Sequence, residues 1–216
     1  MVTIPAGAFR MGSPEGEGHD DERPRHEVHL DAFRLERYPV TVDRFREFCA
    51  QSARKMPLQP RWSGGDHPVV NVCWEDAAAY CAWAGKRLPT EAQWEKAARG
   101  GTETRYFFGE REELLGEFAW YRCNSGLQTN PVGLKRPNPY MLFDILGNVW
   151  EWTADFYDAD YYRKSPAADP KGPDSGSARV IRGGSWRLEE TLCRSAARNF
   201  LPPDMRAANL GFRCAE

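Results

Sequence analysis

The chain has 216 residues, enough for one large domain or two small ones, and at this size about 70% of the unfolded surface can be buried. Its 29 Lys and Arg against 31 Asp and Glu leave a formal charge of -2, which excludes the basic balance of a nucleic-acid-binding chain or of one held on an anionic membrane. No apolar run approaches the ~20 residues of a membrane-spanning helix, while 19 Gly, 16 Pro and 8 Trp point to a turn-rich fold with limited regular structure.

Residues 1–7 lack the basic and apolar regions of a signal peptide, which leaves the compartment open, the bacterial cytoplasm among the choices. Val2-Thr3-Ile4 and Phe9-Arg10-Met11 flank Pro5-Ala6-Gly7, which predicts a tight hairpin. Ser13 to Arg25 is acidic and rich in Pro and Gly, and reads as a solvated loop. His26 to Leu30 alternates as a strand does, and with no third ligand nearby its two histidines read as half-exposed strand residues, not metal ligands. Thr41 is placed to cap a helix that carries Val42, Phe45, Phe48 and Cys49 on one face. Val69 to Val72 reads as a short strand. A second helix runs from Trp74 to Ala84, with Trp74, Ala78 and Cys81 on one face and Gly85 as its stop. Thr90-Glu91-Ala92-Gln93 is a capping box that opens a third helix, closed by Gly100-Gly101.

Beyond Gly101 short strands and turns alternate. Glu151 lies between Trp150 and Trp152, where a carboxylate is costly unless it is paired or bound to a metal. With Asp144 and the intervening turn carbonyls it offers hard oxygens for Ca2+, and a salt bridge to one of the many arginines serves equally well. Gly183-Gly184 after Arg179-Val180-Ile181 permits a sharp bend, and Trp186 follows with one N–H to satisfy. Residues 187–208 have no clean period and read as an irregular surface region; the chain closes on Leu210 to Cys214, a strand tied into the core. The six cysteines form no C-x-x-C pair, which argues against a zinc ribbon or a thioredoxin-type site. All four histidines lie in the first third of the chain and Ser185 lacks a nucleophile elbow, so a serine hydrolase is disfavoured.

Taken together, Met1 to Gly12, Asp66-His67-Pro68-Val69, Ala84 to Glu91, Gly147 to Trp152, Arg182 to Trp186 and Asn209 to Arg213 resemble the formylglycine-generating enzyme family, the sulfatase-modifying factors. The resemblance is collinear and covers essentially the whole chain. It implies one domain over residues 1–216 with an α+β, C-type-lectin-like fold of low regular secondary structure: two or three helices and a small antiparallel sheet. It further implies a structural Ca2+ held by the Glu151 carboxylate and the backbone carbonyls of Asp144, Gly147 and Val149. Asn124 and Ser125 match the start of a second Ca2+ site whose remainder has no counterpart here. Cys81 and Cys214 match a family disulfide that would tie the second helix to the last strand and contribute about 2–4 kcal/mol.

Active members of that family bind Cu(I) with two cysteines after the Gly-Gly-Ser motif and use O2 to turn a substrate cysteine into formylglycine. Counted from Ser185, the first falls on Leu188 and the second on Cys193; counted back from Ala196-Ala197-Arg198, Cys193 falls elsewhere, because this chain is shorter there. At most one of the two sulfurs is present, and one thiolate beside a leucine makes a poor Cu(I) site. The resemblance therefore leads to a divergent, Ca2+-stabilised, monomeric module for a protein or peptide ligand. Residues 182–213 also resemble the display segment of the variable proteins of diversity-generating retroelements. That likeness puts Trp186, Arg187, Leu188, Glu189, Thr191, Ala197, Phe200, Leu201, Met205, Ala207 and Ala208 on a ligand-binding face. The alternative is a copper- and O2-dependent oxidase with Cys193 as its catalytic thiol; against it stands a Cys193 that is buried or disulfide-bonded to Cys123.

Overall fold

The computed structural model describes every residue from Met1 to Glu216. Its first element is a long antiparallel ribbon. β1 (Val2–Ile4) and β2 (Gly7–Met11) run out, and β3 (His26–Leu30) and β4 (Phe33–Leu35) return. Val2 faces Leu35, Gly7 faces Leu30 and Met11 faces His26, so one register runs through both pairs. The expected hairpin at Pro5-Ala6-Gly7 is thereby corrected: β1 and β2 are two halves of one arm, interrupted at a bend, and the turn is the segment 12–25. Nor is that segment wholly solvated. Ser13 and Glu22 are buried, and the Arg194 guanidinium grips Glu22 through two bonds of 2.8 and 2.9 Å. Burial opposes the Glu22 charge, but Arg194 outweighs it and holds the carboxyl below its usual pKa.

Three helices follow from their capping residues. α1 (Val42–Ser52) starts at Thr41, whose hydroxyl accepts from the Arg44 N–H, and buries Val42, Phe45, Phe48 and Cys49 as its spacing predicts. α2 (Trp74–Trp83) stops before Gly85, which is left-handed at φ +69°. The face it buries carries Ala77, Tyr80 and Cys81; Trp74 and Ala78 are only half-buried, which corrects the predicted face. α3 (Glu91–Arg99) has the reciprocal Thr90–Gln93 capping box and ends at left-handed Gly100. All nine of its residues are buried, so it is a central element and not a surface helix. A single turn, α4 (Leu115–Phe118), is the only other α-helix. Val69, Val70 and Val72 are buried, but left-handed Asn71 breaks the stretch, which joins Val40 by one bond without forming a strand. No helix is long and apolar enough to cross a membrane.

The second half builds a four-stranded sheet from β5 (Trp150–Phe156), β6 (Arg179–Arg182), β7 (Arg198–Leu201) and β8 (Leu210–Gly211). The order is β7-β6-β5-β8, and β8 runs parallel to β5, so the sheet is mixed where an antiparallel one was expected. Two hydrophobic clusters flank it. One gathers the ribbon, α3 and the 106–119 and 142–146 segments; the other gathers α1, α2 and residues of β5, β6 and β8.

Candidate functional site

The glycine pair at the end of β6 shapes the centre of the molecule. Gly183 is left-handed at φ +99°, and a Cβ there would come within 3.0 Å of the Trp94 ring and 3.1 Å of the Ile145 carbonyl. At Gly184 a Cβ would sit 2.6 Å from the Leu192 carbonyl and 2.7 Å from the Cys193 sulfur. The bend therefore brings α3, the 145–151 segment and the 188–193 loop into contact around one backbone that bears no side chain.

Glu151 lies beside this bend and is 1% exposed. Its Oε1 accepts from Arg213 Nη2 at 2.7 Å and from Nε at 3.0 Å; its Oε2 accepts from Arg213 Nε and from Trp94 Nε1, both at 2.8 Å. Arg213 also donates to the carbonyls of Glu36, Arg37, Phe143 and Asp144. The salt bridge thus wins over the cation among the two readings of Glu151. A guanidinium occupies both carboxylate oxygens, and one of the carbonyls expected to hold Ca2+, that of Asp144, faces the same positive charge. Glu151 and the Asp144 carbonyl as arranged do not fit a Ca2+ ion, whose ligands must converge on a point free of cations. The Asp144 carboxylate is committed as well, accepting from the Gly133 N–H at 2.7 Å and bonding Asn148. Its pKa is raised to about 6, chiefly by burial. Asn124 and Ser125 fold their own loop: Asn124 bonds Tyr121 N–H and the Ala119 carbonyl, and the Ser125 hydroxyl donates to the Trp186 carbonyl. They too are loop braces in this arrangement.

Cys193 is fully buried, and burial pushes its thiol up to about 12. Leu188, a half-buried side chain of the second cluster, stands where the resemblance places the other sulfur. One buried sulfur beside a leucine does not fit Cu(I), which takes two soft sulfur ligands within reach of solvent. Cys123 is exposed while Cys193 is buried, and both are free thiols, which corrects the alternative pairing of the two. Cys81 and Cys214 are both fully buried, with free thiols. The expected partners lie close enough for each charge to be felt by the other, and their disulfide stays what the resemblance implies.

The expected binding face divides into three groups. Arg187, Glu189, Thr191, Phe200 and Met205 are exposed, while Leu188, Leu201, Ala207 and Ala208 are half-buried. Ala197 is buried because its carbonyl, with that of Ala196, receives the Arg182 guanidinium; it is removed from the face. Trp186 is 9% exposed, with its indole N–H donated to the Ala208 carbonyl. Two aromatic residues that sequence reasoning missed complete the surface. Trp62, 42% exposed, packs edge-on against Trp186 with ring centres 6.3 Å apart, and Tyr157 stacks under Phe200 at 3.8 Å. An unpaired tryptophan between Pro60 and Gly64, in a loop with no core to enter, was the available signal for the first.

A family model described as the sulfatase-modifying factor enzyme 1-like domain matches residues 1–216. The formylglycine-generating enzyme of Streptomyces coelicolor is 37% identical over 280 aligned positions, which take in 100% of this chain and 88% of that protein. Among solved structures, PvdO from Pseudomonas aeruginosa superposes with a TM-score of 0.90 at 30% identity, covering 99% of this chain and 92% of that one. Variable protein 1 of Treponema denticola superposes with a TM-score of 0.88, also at 30% identity, over 100% of this chain and 94% of that one. The architecture is thus the C-type-lectin-like fold that these proteins share.

Proposed function

Given that the chain belongs to the sulfatase-modifying factor enzyme 1-like family, we propose that it is a ligand-binding module on that family's fold and not a copper-dependent oxidase. One observation carries the reading: the single cysteine near the Gly-Gly-Ser motif, Cys193, is fully buried, with Leu188 where a count from Ser185 places its counterpart. A nucleophilic or metal-binding sulfur must be reachable, and this one is fully buried. What the same loops offer to solvent is a surface of mixed character. Phe200 and Met205 are exposed apolar side chains, Trp62 backs Trp186, and Arg187 and Thr191 supply polar contacts. Large aromatic side chains beside adaptable polar ones suit a protein or peptide ligand. The likeness to variable protein 1 of Treponema denticola supports a display role for this surface.

The competing oxidase reading draws on the 37% identity to a formylglycine-generating enzyme. A turnover assay separates the two. The protein is incubated with Cu(I), O2 and a peptide carrying Cys-x-Pro-x-Arg, with Cys193→Ala in parallel, and the aldehyde is sought by mass spectrometry. The binding-module reading expects an unchanged peptide in both. Aldehyde from the wild type that disappears in Cys193→Ala would establish the oxidase instead.

A further inference from the structure

A cavity of about 850 Å3 opens between α2, the Asp31-Ala32 turn and the 169–171 segment, and no residue of the 187–208 face lines it. One wall is the half-exposed side of α2. Trp74, Ala78 and Ala82 recur there at one-turn intervals, and Phe33 and Leu88 extend the apolar surface. The two alanines leave depth that larger side chains would fill.

Arg87 stands in the same lining with its guanidinium fixed. Nη1 donates to the Leu88 carbonyl at 3.0 Å and to Gln93 Oε1 at 2.8 Å, and Gln93 is itself held by the Thr90 N–H. Nε and Nη2 have no protein acceptor, and no carboxylate pairs with the group. Of the other charges of the lining, Lys86 pairs with Glu36, Glu216 with Arg34, and Asp169 accepts from the Asp31 N–H, while Lys171 and the Asp31 carboxylate bond no side chain and lack the fixed geometry of Arg87. The acid that acts on Arg87 through space is Asp155, which bonds the Glu91 N–H and makes no salt bridge with the guanidinium. An anchored guanidinium with one free edge matches the two oxygens of a carboxylate. The volume matches a small organic molecule, and the wall asks for an apolar body.

We infer that this cavity binds a small monocarboxylate with an apolar body, which lies along Trp74, Ala78 and Ala82 while its carboxylate takes the free edge of Arg87. The site is independent of the face proposed above and stands or falls without it.

Isothermal titration of the whole protein with octanoate, and with octanamide as the uncharged isostere, tests the assignment. Octanoate gives saturable heat, and octanamide binds about tenfold more weakly or worse, since it lacks the charge that Arg87 recognises. Arg87→Gln brings octanoate down to the level of the amide. Ala82→Trp fills the cavity from an exposed helix position and leaves the Arg87 side chain in the sequence, and it abolishes binding of both compounds. It decides the matter even if Arg87→Gln folds poorly. Equal binding of acid and amide, full binding by either folded variant, or no saturable heat up to about 5 mM octanoate overturns the proposal.

Discussion

Glu151 and Arg213 meet with both charges out of water, and the pair uses every strong acceptor and donor position it has: indole and guanidinium on the carboxylate, four backbone carbonyls on the remaining guanidinium N–H groups. Such a pair adds little over a well-packed apolar substitute, but half of it cannot be removed cheaply. Glu151→Gln keeps the shape and leaves Arg213 as an uncompensated buried cation. It is expected to lower the free energy of unfolding by about 3–5 kcal/mol in urea titrations. A loss below about 1 kcal/mol would mean that the guanidinium finds water or another anion. Because Arg213 fills the oxygens that a cation would need, excess calcium or chelator is expected to shift the melting temperature by no more than about 2 °C. A rise of many degrees with calcium would require Arg213 to swing away. The cysteines make a separate statement at the same scale. Five are buried, and Cys123 alone is exposed. Iodoacetamide at pH 8 is expected to modify Cys123 in the native protein and the other five only after denaturation, as read by peptide mass spectrometry. Rapid native labelling of Cys193 would contradict both its burial and the binding-module reading.

α3 and β5 are the elements between which the buried charges collect. Asp155 on β5 accepts from the Glu91 N–H at the start of α3 at 2.8 Å, and Arg198 holds the Glu91 carboxylate from β7. Burial first, then Glu91, raises Asp155 from 3.8 to about 8. Between about pH 4 and 8 the folded chain therefore keeps a proton that the unfolded chain has released, so stability falls as pH rises through that window. Asp144, raised to about 6, adds to the fall; Glu22 and Glu95, both lowered by arginines that overcome their burial, act the other way and only at more acid pH. The urea midpoint is expected to drop from pH 5 to pH 8, and Asp155→Asn, which still offers an oxygen to the Glu91 N–H, to remove most of that drop. A wild-type midpoint that climbs over the interval would refute the assignment. The helices were legible in the sequence because their ends are local chemistry: Thr41, Thr90, Gly85 and Gly100 act on residues within one turn. The face of α2 was not, since Trp-Glu-Asp-Ala-Ala-Ala-Tyr-Cys-Ala-Trp is apolar almost all round and its period selects no side. Pro5-Ala6-Gly7 looked like a turn because the true partners of β1 lie some thirty residues on, beyond the reach of any local signal. Likewise nothing near Glu151 announced Arg213, 62 residues away, and Ala197 gave no sign that its carbonyl is claimed by Arg182.

At the scale of the molecule the two hydrophobic clusters are stitched together by the same strands. Along the C-terminal segment Leu210, Phe212 and Cys214 enter one cluster while Ala215 enters the other. Ala215 bridges Leu35 and Arg87, and the Glu216 N–H reaches the Arg34 carbonyl, so the end of the chain closes on β4 near its beginning. Trp94 belongs to the first cluster, yet its indole bonds Glu151 between two tryptophans of the second. Neither cluster can lose its packing without exposing the strand or the ion pair that supports the other. The chain is therefore expected to unfold as one cooperative unit, although at 216 residues and with two clusters it could have contained two. Far-ultraviolet circular dichroism follows the helices, of which α1 and α2 lie against the second cluster. Tryptophan fluorescence reports on both sides, through Trp94 in one and Trp150 and Trp152 in the other. The two urea transitions should coincide, and Phe212→Ala, a cavity in the second cluster alone, should shift both midpoints together by the equivalent of about 3–5 kcal/mol. Separate midpoints, or a Phe212→Ala transition that moves one signal and leaves the other in place, would divide the chain into two independently stable halves.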